Sequence, residues 1–359
     1  MEKKALIAMS GGVDSSVAAL LCQQAGFDCM GVTLKLYDNE DAGLPREKTC
    51  CSVDDVADAR SVAFRLGMPF YVFNFKEAFR REVMDRFVQA YERGETPNPC
   101  VDCNRYIKFE KLMRRGEEVG FPYIATGHYA RVEFDGATGR WLLKKGLDEN
   151  KDQSYMLWSL TQWELSRLLL PLGGLTKERV RQLAEEHGFL NARKRDSQDI
   201  CFVPDGDYAA FIRRYAGKAF PPGAFVGTQG QVYGQHKGII HYTVGQRKGL
   251  GLSFPQPMFV KELDVEKNRV VLAKAEELFS QEVIARDINL ISVESIPAPL
   301  RVKARVRYRQ KEQPATVLQT GPDELRVVFD QPQRAVTPGQ SLVLYDGDTV
   351  VGGGKIARK

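Results

Sequence analysis

The sequence predicts an α/β protein of three successive modules: a parallel sheet covered on both faces by helices, a small mixed central domain, and a C-terminal β-barrel. Three observations carry this prediction. The first two hundred residues alternate short apolar runs with amphipathic helical spacing, as in a doubly covered parallel sheet. A glycine-rich turn, Ser10-Gly11-Gly12, sits between the first apolar run and the first helix. From about residue 281 the pattern becomes period-two strands with no convincing helix. A chain of 359 residues has room for two to three domains at about 150 residues each. The boundaries fall at 1–205, 206–280 and 281–359.

The elements follow in order. Residues 5–9 read as a buried strand, 15–24 as a helix closed by Gly26, and 30–36 as the next strand. Ser52, with Asp55 three residues on, is an N-cap box for a helix carrying Val53, Val56, Val62 and Leu66. Residues 69–75 return to strand. Phe79, Val83, Phe87 and Tyr91, four apart, mark one helix face. The loop 94–99 then leads to a helix from Asn104 towards Gly120, so that Cys103 stands at a helix start, and 123–126 is a strand. Beyond about residue 205 come short segments rich in Gly and Pro. The last ~80 residues read as a compact barrel or sandwich, a shape often used to grip nucleic acid.

Composition excludes several classes. With 43% hydrophobic and 27% charged residues, the chain is globular rather than fibrous or disordered. The apolar run 5–9 is too short for a signal peptide, and no run approaches the ~20 residues of a membrane span. The expected location is the cytoplasm. Lys and Arg total 51 against 46 acidic residues, a net +5 that permits an anionic partner. All seven cysteines, Cys22, Cys29, Cys50, Cys51, Cys100, Cys103 and Cys201, precede residue 202. In a reducing compartment they serve catalysis, metal binding or core packing rather than structural disulfides. Cys22 and Cys29, within helix and strand patterns, read as core residues.

The turn Ser10-Gly11-Gly12-Val13-Asp14-Ser15-Ser16 is suited to phosphate. Its glycines admit close backbone approach, its serines offer hydroxyls, and the helix N-terminus adds unpaired N–H groups. It lacks the Gly-Lys-Ser/Thr ending of a Walker loop, which disfavours γ-phosphate transfer. Asp14 beside it is a candidate ligand for Mg2+ against a leaving pyrophosphate. The competing reading is a glycine turn that only links strand to helix. The motif resembles the pyrophosphatase loop (PP-loop) of Rossmann-like, adenine nucleotide alpha hydrolase-like enzymes that form adenylates.

Cys103 follows Pro97-Asn98-Pro99-Cys100-Val101-Asp102, and a helix N-terminus there favours its thiolate. Cys201 follows Arg193, Lys194 and Arg195, whose charges act in the same direction. Across all three modules the chain is similar to the tRNA-specific 2-thiouridylase family. The matches are Ser10 to Ser15, Asn98-Pro99 with Cys103-Asn104, Thr126-Gly127-His128-Tyr129, Lys151-Asp152-Gln153-Ser154-Tyr155, Asp196-Ser197 with Ile200-Cys201-Phe202, and His241-Tyr242-Thr243-Val244-Gly245-Gln246-Arg247.

The resemblance implies ATP binding by Ala8, Met9, Ser10, Gly11, Gly12, Val13, Asp14, Ser15, Leu34 and Gly127. It implies that Asn98, Pro99 and Cys100 face the target base, and that His128, Lys151, Asp152, Gln153, Arg307, Tyr308 and Gln340 contact tRNA. Cys201 is implied to carry a persulfide and Cys103 to be the second catalytic thiol, closing a transient disulfide with Cys201. The implied partners are tRNA and a persulfide sulfur donor, a cysteine desulfurase or relay protein. One departure is Cys100, where other members of the family can carry aspartate. With Cys103 and Cys201 it offers three corners of a [4Fe-4S] cluster, and Cys50-Cys51 offer instead to complete a zinc site.

Arg301, Lys303, Arg305, Arg307, Arg309 and Lys311 alternate along one predicted strand. They present a line of charge to a phosphate backbone, or else defend a soluble edge strand. His187, His236 and His241 show no metal spacing. Residues 37–48 read as a loop over ATP. Two rivals remain at this stage: a PP-loop synthetase acting on a small molecule, which needs no cysteine pair, and a non-catalytic RNA-binding protein.

Overall fold

In the computed structural model of the chain, residues 2–38, 53–194 and 200–358 are described. The first module is a five-stranded parallel sheet of order β3-β2-β1-β4-β7. Its strands are β1 (Lys4–Ala8), β2 (Asp28–Lys35), β3 (Phe70–Asn74), β4 (Tyr123–Ala125) and β7 (Leu168–Leu169). Helices α1 (Val13–Gln24) and α2 (Val53–Arg65) join the first three strands. Successive residues of β1 feed opposite faces of the sheet, as strand geometry requires. Leu6 packs with Met30, Val32, Phe79, Phe109 and Trp158, whereas Ala5 and Ile7 pack with Val17, Ala59 and Val62. Burial on both faces is why these central strands read as continuous apolar runs.

Two long helices cover the first of those faces. Helix α3 at 76–92 is π-helical over Arg80–Met84, and helix α4 at 99–118 is π-helical over Cys103–Lys111, with the short α5 (Gln162–Leu165) further along the chain. The second begins five residues before the position expected from the sequence. Asn98 is its N-cap, accepting from the Cys100 backbone N–H at 3.2 Å, and Pro99 occupies its first turn, where a proline costs no hydrogen bond. Cys103 is therefore the fifth helical residue rather than the first. The field of a helix terminus fades beyond the first turn, so the expected dipole effect on its thiol is weakened. Ser52, the expected cap of α2, lies outside the described residues, as does most of the expected loop over ATP.

The central module places helix α7 (Tyr208–Ala216) beside a four-stranded sheet of β8 (Gly223–Gly227), β9 (Val232–His236), β10 (Phe259–Asp264) and β11 (Arg269–Ala273), in the order β10-β11-β8-β9 with β8 and β11 parallel. The final module is a six-stranded barrel of β12 (Phe279–Leu290), β13 (Leu300–Arg305), β14 (Gln313–Gly321), β15 (Glu324–Arg334), β16 (Ser341–Asp346) and β17 (Thr349–Ile356), in the order β12-β15-β14-β13-β16-β17, closed because β12 pairs with both β15 and β17. A hairpin from the first module, β5 (Ala130–Asp135) and β6 (Arg140–Lys145), joins this sheet through Lys144 and Thr349. Behind it, Trp158 donates its indole N–H to Ser341 Oγ at 2.9 Å, Tyr155 donates its hydroxyl to the Ser341 carbonyl at 2.7 Å, and Asn289 donates to the Trp158 and Leu160 carbonyls.

The expected line of six cations on one strand is not realised. β13 (Leu300–Arg305) ends at Arg305. Arg301 pairs with Asp330 and Arg305 with Glu312, each at 2.8 Å. Arg307 turns inward, where the carbonyls of Val244 and Ala335 accept from its guanidinium at 3.0 Å. Desolvation draws its pKa downwards.

Candidate active site

The phosphate loop spans the end of β1 and the start of α1. Gly11 has φ +76°, and a Cβ there would strike the Asp55 backbone of α2, so both the conformation and the space demand glycine. Within the turn, Ser15 Oγ donates to the Gly12 carbonyl at 3.0 Å and accepts from the Ser10 N–H at 3.2 Å. Ser16 Oγ donates to the same carbonyl at 3.1 Å. A second strand end closes over this one. A Cβ on Gly127 would lie 2.7 Å from Asp14 C and 2.8 Å from Ser15 N, so only glycine lets the segment after β4 rest on the first turn of α1. Ala8, Met9, Ser10, Gly11, Gly12, Val13, Asp14, Ser15 and Gly127 thus form one locality. Met9 and Val13 are buried and present only backbone. Leu34, also buried, lies on β2, beside β1 in the sheet.

Asp14 is not an isolated carboxylate. The Tyr129 hydroxyl donates to its Oδ1 at 2.8 Å, and Lys177 Nζ reaches both oxygens at 2.7 and 2.8 Å. Lys177 opens helix α6 (Lys177–Glu186), capped by Thr176. It brings a cation to the phosphate loop from far along the chain, the charge whose absence the sequence motif suggested. The Thr-Lys helix start was visible in the sequence, but nothing local connected it to Asp14. Asp14, the expected magnesium ligand, is thus paired with Lys177 at the mouth of the loop.

The cysteines sit differently from one another. Cys100 is exposed, Cys103 is buried and Cys201 is half-buried. Cys103 belongs to the large apolar cluster that also contains Leu34 and Phe109, and Cys201 packs against the same cluster. Phe202, wedged between Phe79, Phe87 and Phe211, anchors the chain next to Cys201, whose carbonyl accepts from the Tyr37 hydroxyl at 2.5 Å. Cys22 and Cys29 are core residues, and burial pushes their thiols up to about 12 and about 11. Among the described residues no three His, Cys, Asp or Glu side chains are arranged to hold a metal. Cys100, Cys103 and Cys201 therefore do not fit the expected iron–sulfur cluster as placed. Cys50 and Cys51, the expected zinc ligands, lie outside the described residues, as do Arg195, Asp196 and Ser197.

One ionic network ties the cysteine helix to the barrel. Asp102, only 4% exposed, accepts from Lys355 Nζ of β17 (Thr349–Ile356) at 3.0 Å. Lys355 also lies 3.4 Å from Asp287, which Arg105 grips through both oxygens at 2.8 and 2.9 Å. Burial works against the Lys355 ammonium, yet Asp102 and Asp287 hold its pKa above the ordinary lysine value. Nearby, the Gln340 amide donates to the Thr96 carbonyl at 2.6 Å and the Thr96 N–H to the Pro338 carbonyl at 2.9 Å. The loop before the cysteines is thereby docked on the barrel. Asn98 also directs its amide to Met156 Sδ, 3.4 Å away, and Pro99 is buried.

Of the residues expected to meet RNA, several face inward. His128 is buried with Nδ1 2.8 Å from Thr126 Oγ1, and burial, reinforced by Lys108, drives its pKa well below the usual histidine value. Asp152 is buried, accepting from the Gly146 and Ser154 N–H groups at 3.1 Å and the Ser154 hydroxyl at 3.0 Å. Tyr308 donates to the Asp152 carbonyl at 3.1 Å. Gln153 accepts from the Tyr129 N–H at 3.0 Å, and Lys151 is partly exposed. Gln153, Asp152 and Tyr308 thus link the strand end beside the phosphate loop to the barrel.

Comparison with known proteins adds to this geometry. Residues 3–205 match a family model described as a tRNA methyl transferase HUP domain, 209–274 its PRC-barrel domain, and 280–356 an aminomethyltransferase beta-barrel domain. The chain is 50% identical to the tRNA-specific 2-thiouridylase of Clostridioides difficile, over 100% of this chain and 99% of that one. It is 49% identical to the protein of that name from Acetivibrio thermocellus, over 99% of both. The one from Carboxydothermus hydrogenoformans is also 49% identical, over 99% of this chain and 98% of its own length.

Proposed function

Since the chain belongs to the tRNA-specific 2-thiouridylase family, we propose that it is a tRNA-uridine 2-sulfurtransferase acting through an adenylated uridine and a cysteine persulfide at the wobble position of tRNA. The turn between β1 and α1 receives ATP phosphates on its N–H groups, with Lys177 supplying positive charge beside them. The C2 oxygen of the uridine attacks the α-phosphate. Pyrophosphate leaves, and a poor leaving group becomes AMP.

The terminal sulfur of a persulfide on Cys201 then attacks C2 and expels AMP, leaving the base joined to Cys201 through an S–S bond. Cys103 attacks the Cys201 sulfur. The electron pair of the broken S–S bond passes to the base as 2-thiouridine, and a Cys103–Cys201 disulfide remains for an external reductant. The same balance holds if Cys103 first releases the sulfur as hydrosulfide. The reaction draws on a persulfide donor and fits a cytoplasmic enzyme. Among the described residues no helix is long and apolar enough to cross a membrane.

The observation that carries this reading is the glycine-built turn after β1, with Gly127 resting on it, in a chain 50% identical to a tRNA-specific 2-thiouridylase over its whole length. The test supplies protein, ATP, tRNA and a persulfide donor, and assays nucleosides by mass spectrometry and pyrophosphate by coupled assay. Wild-type protein forms 2-thiouridine with one AMP per sulfur. Cys103→Ser and Cys201→Ser each reduce 2-thiouridine to background while pyrophosphate release on adding tRNA persists. Thiolation by both variants at the wild-type rate, or pyrophosphate release indifferent to tRNA, would refute it. The second outcome favours a small-molecule synthetase.

A further inference from the structure

Behind the phosphate loop lies a buried amide with no assigned task. Asn191 follows helix α6 in the segment leading towards Cys201, and it is 4% exposed. Its Nδ2 donates to the Gly11 carbonyl and to Ser16 Oγ, both at 2.9 Å. Its Oδ1 is buried without a hydrogen-bond partner among the described residues. Leaving a buried acceptor unmade is costly, so packing alone is a poor reason for an asparagine here. The surrounding segment is held rigidly. Arg181 donates to the Ala192 and Lys194 carbonyls at 3.0 and 3.2 Å, and Lys194 reaches Asp55 and Asp58 of α2 at 2.6 Å.

From this geometry we infer that Asn191 is a positioning residue for the nucleotide phosphates, acting through the peptide bond between Gly11 and Gly12. A trans peptide is planar, and its C=O and N–H point in opposite directions. An amide that draws the Gly11 carbonyl inward therefore turns the Gly12 N–H outward, to the mouth of the turn, where it meets Ser10 Oγ at 3.4 Å. Gly11, with φ +76°, has the backbone freedom to let this peptide rotate when it is not held. The second bond, to Ser16 Oγ, fixes the turn to the first turn of α1. Asn191 thereby orients an N–H that faces phosphate without touching phosphate itself.

The inference rests on the reading of this turn as the ATP site, and direct ATP titration separates the two. If wild-type protein binds no ATP by calorimetry, the functional reading fails. If wild type binds and Asn191→Ala binds within twofold of it, the role of Asn191 fails alone. The expected result is about tenfold weaker ATP binding by Asn191→Ala with tRNA affinity unchanged. Asn191→Asp, which turns a carboxylate oxygen towards the Gly11 carbonyl, weakens it further. At saturating ATP the turnover number stays near wild type, so the defect appears in KM. Parallel loss of ATP and tRNA affinity, or an Asp variant binding ATP better than the Ala variant, overturns the inference. Should neither variant fold, Ser16→Ala removes one of the two acceptors. A two- to threefold loss of ATP affinity then supports the inference, and no loss refutes it.

Discussion

Replacing Lys355 by methionine isolates the tie between the barrel and the cysteine helix. Asp102 is 4% exposed, and its nearest cation is Lys355 Nζ at 3.0 Å. At that distance, with an effective dielectric of about 20, the attraction is roughly 5 kcal/mol, and desolvation of both groups opposes most of it. Removing one partner of a fully buried pair costs about 3–5 kcal/mol. The Lys355 side chain is 30% exposed, so water reaches the site and the cost falls to about 2 kcal/mol. Lys355→Met is expected to lose that much in urea unfolding, as is Asp102→Asn within about 1 kcal/mol. The double variant, which leaves neither charge unpaired, loses little more than either alone. A double-mutant cycle therefore gives a coupling of at least about 1 kcal/mol. Additive losses, with coupling near zero, would mean that Asp102 is stabilised by other groups and that the assigned network is wrong.

The buried His128 makes stability depend on pH. Its folded-state pKa is depressed, chiefly by burial, so the unfolded chain binds the proton more readily than the folded one. The stability it contributes is fully present above about pH 6.5, the unfolded value, and declines as pH falls below it towards the lower folded-state value. Urea midpoints measured from pH 7.5 to 5 should fall more steeply for wild type than for His128→Gln, and equal slopes would contradict the assignment. Gly127→Ala puts a methyl 2.7 Å from backbone atoms of Asp14, which no side-chain rotation relieves. ATP affinity should drop at least about tenfold, some 1.4 kcal/mol, while tRNA affinity is kept, and unchanged ATP binding in calorimetry would show that the segment does not rest on the loop.

What the sequence made legible was local. The alternation of Ala5, Leu6 and Ile7 between two cores, and the glycines and serines between β1 and α1, are decided within a dozen residues. The cap at Asn98 was equally local, since an Asn-Pro pair is a helix-start signal, but the prolines on either side of it, Pro97 and Pro99, read as loop. Lys177 escaped notice because its contact with Asp14 bridges distant parts of the chain. The six alternating cations misled because alternation describes a strand only while the strand lasts, and β13 stops at Arg305. Arg307 then answers to inward carbonyls instead of to solvent.

The β5–β6 hairpin bears on how the molecule is made. Trp158 and Tyr155 find their polar partners on Ser341, and Lys144 finds its strand neighbour at Thr349. Those partners leave the ribosome only after residues 159–340 have been made. The first module must therefore wait, with a large indole and a strand edge unsatisfied, until the strands carrying Ser341 and Thr349 emerge. A chain cut at residue 280 is thus expected to be a holding state prone to association through that edge, rather than a smaller working enzyme.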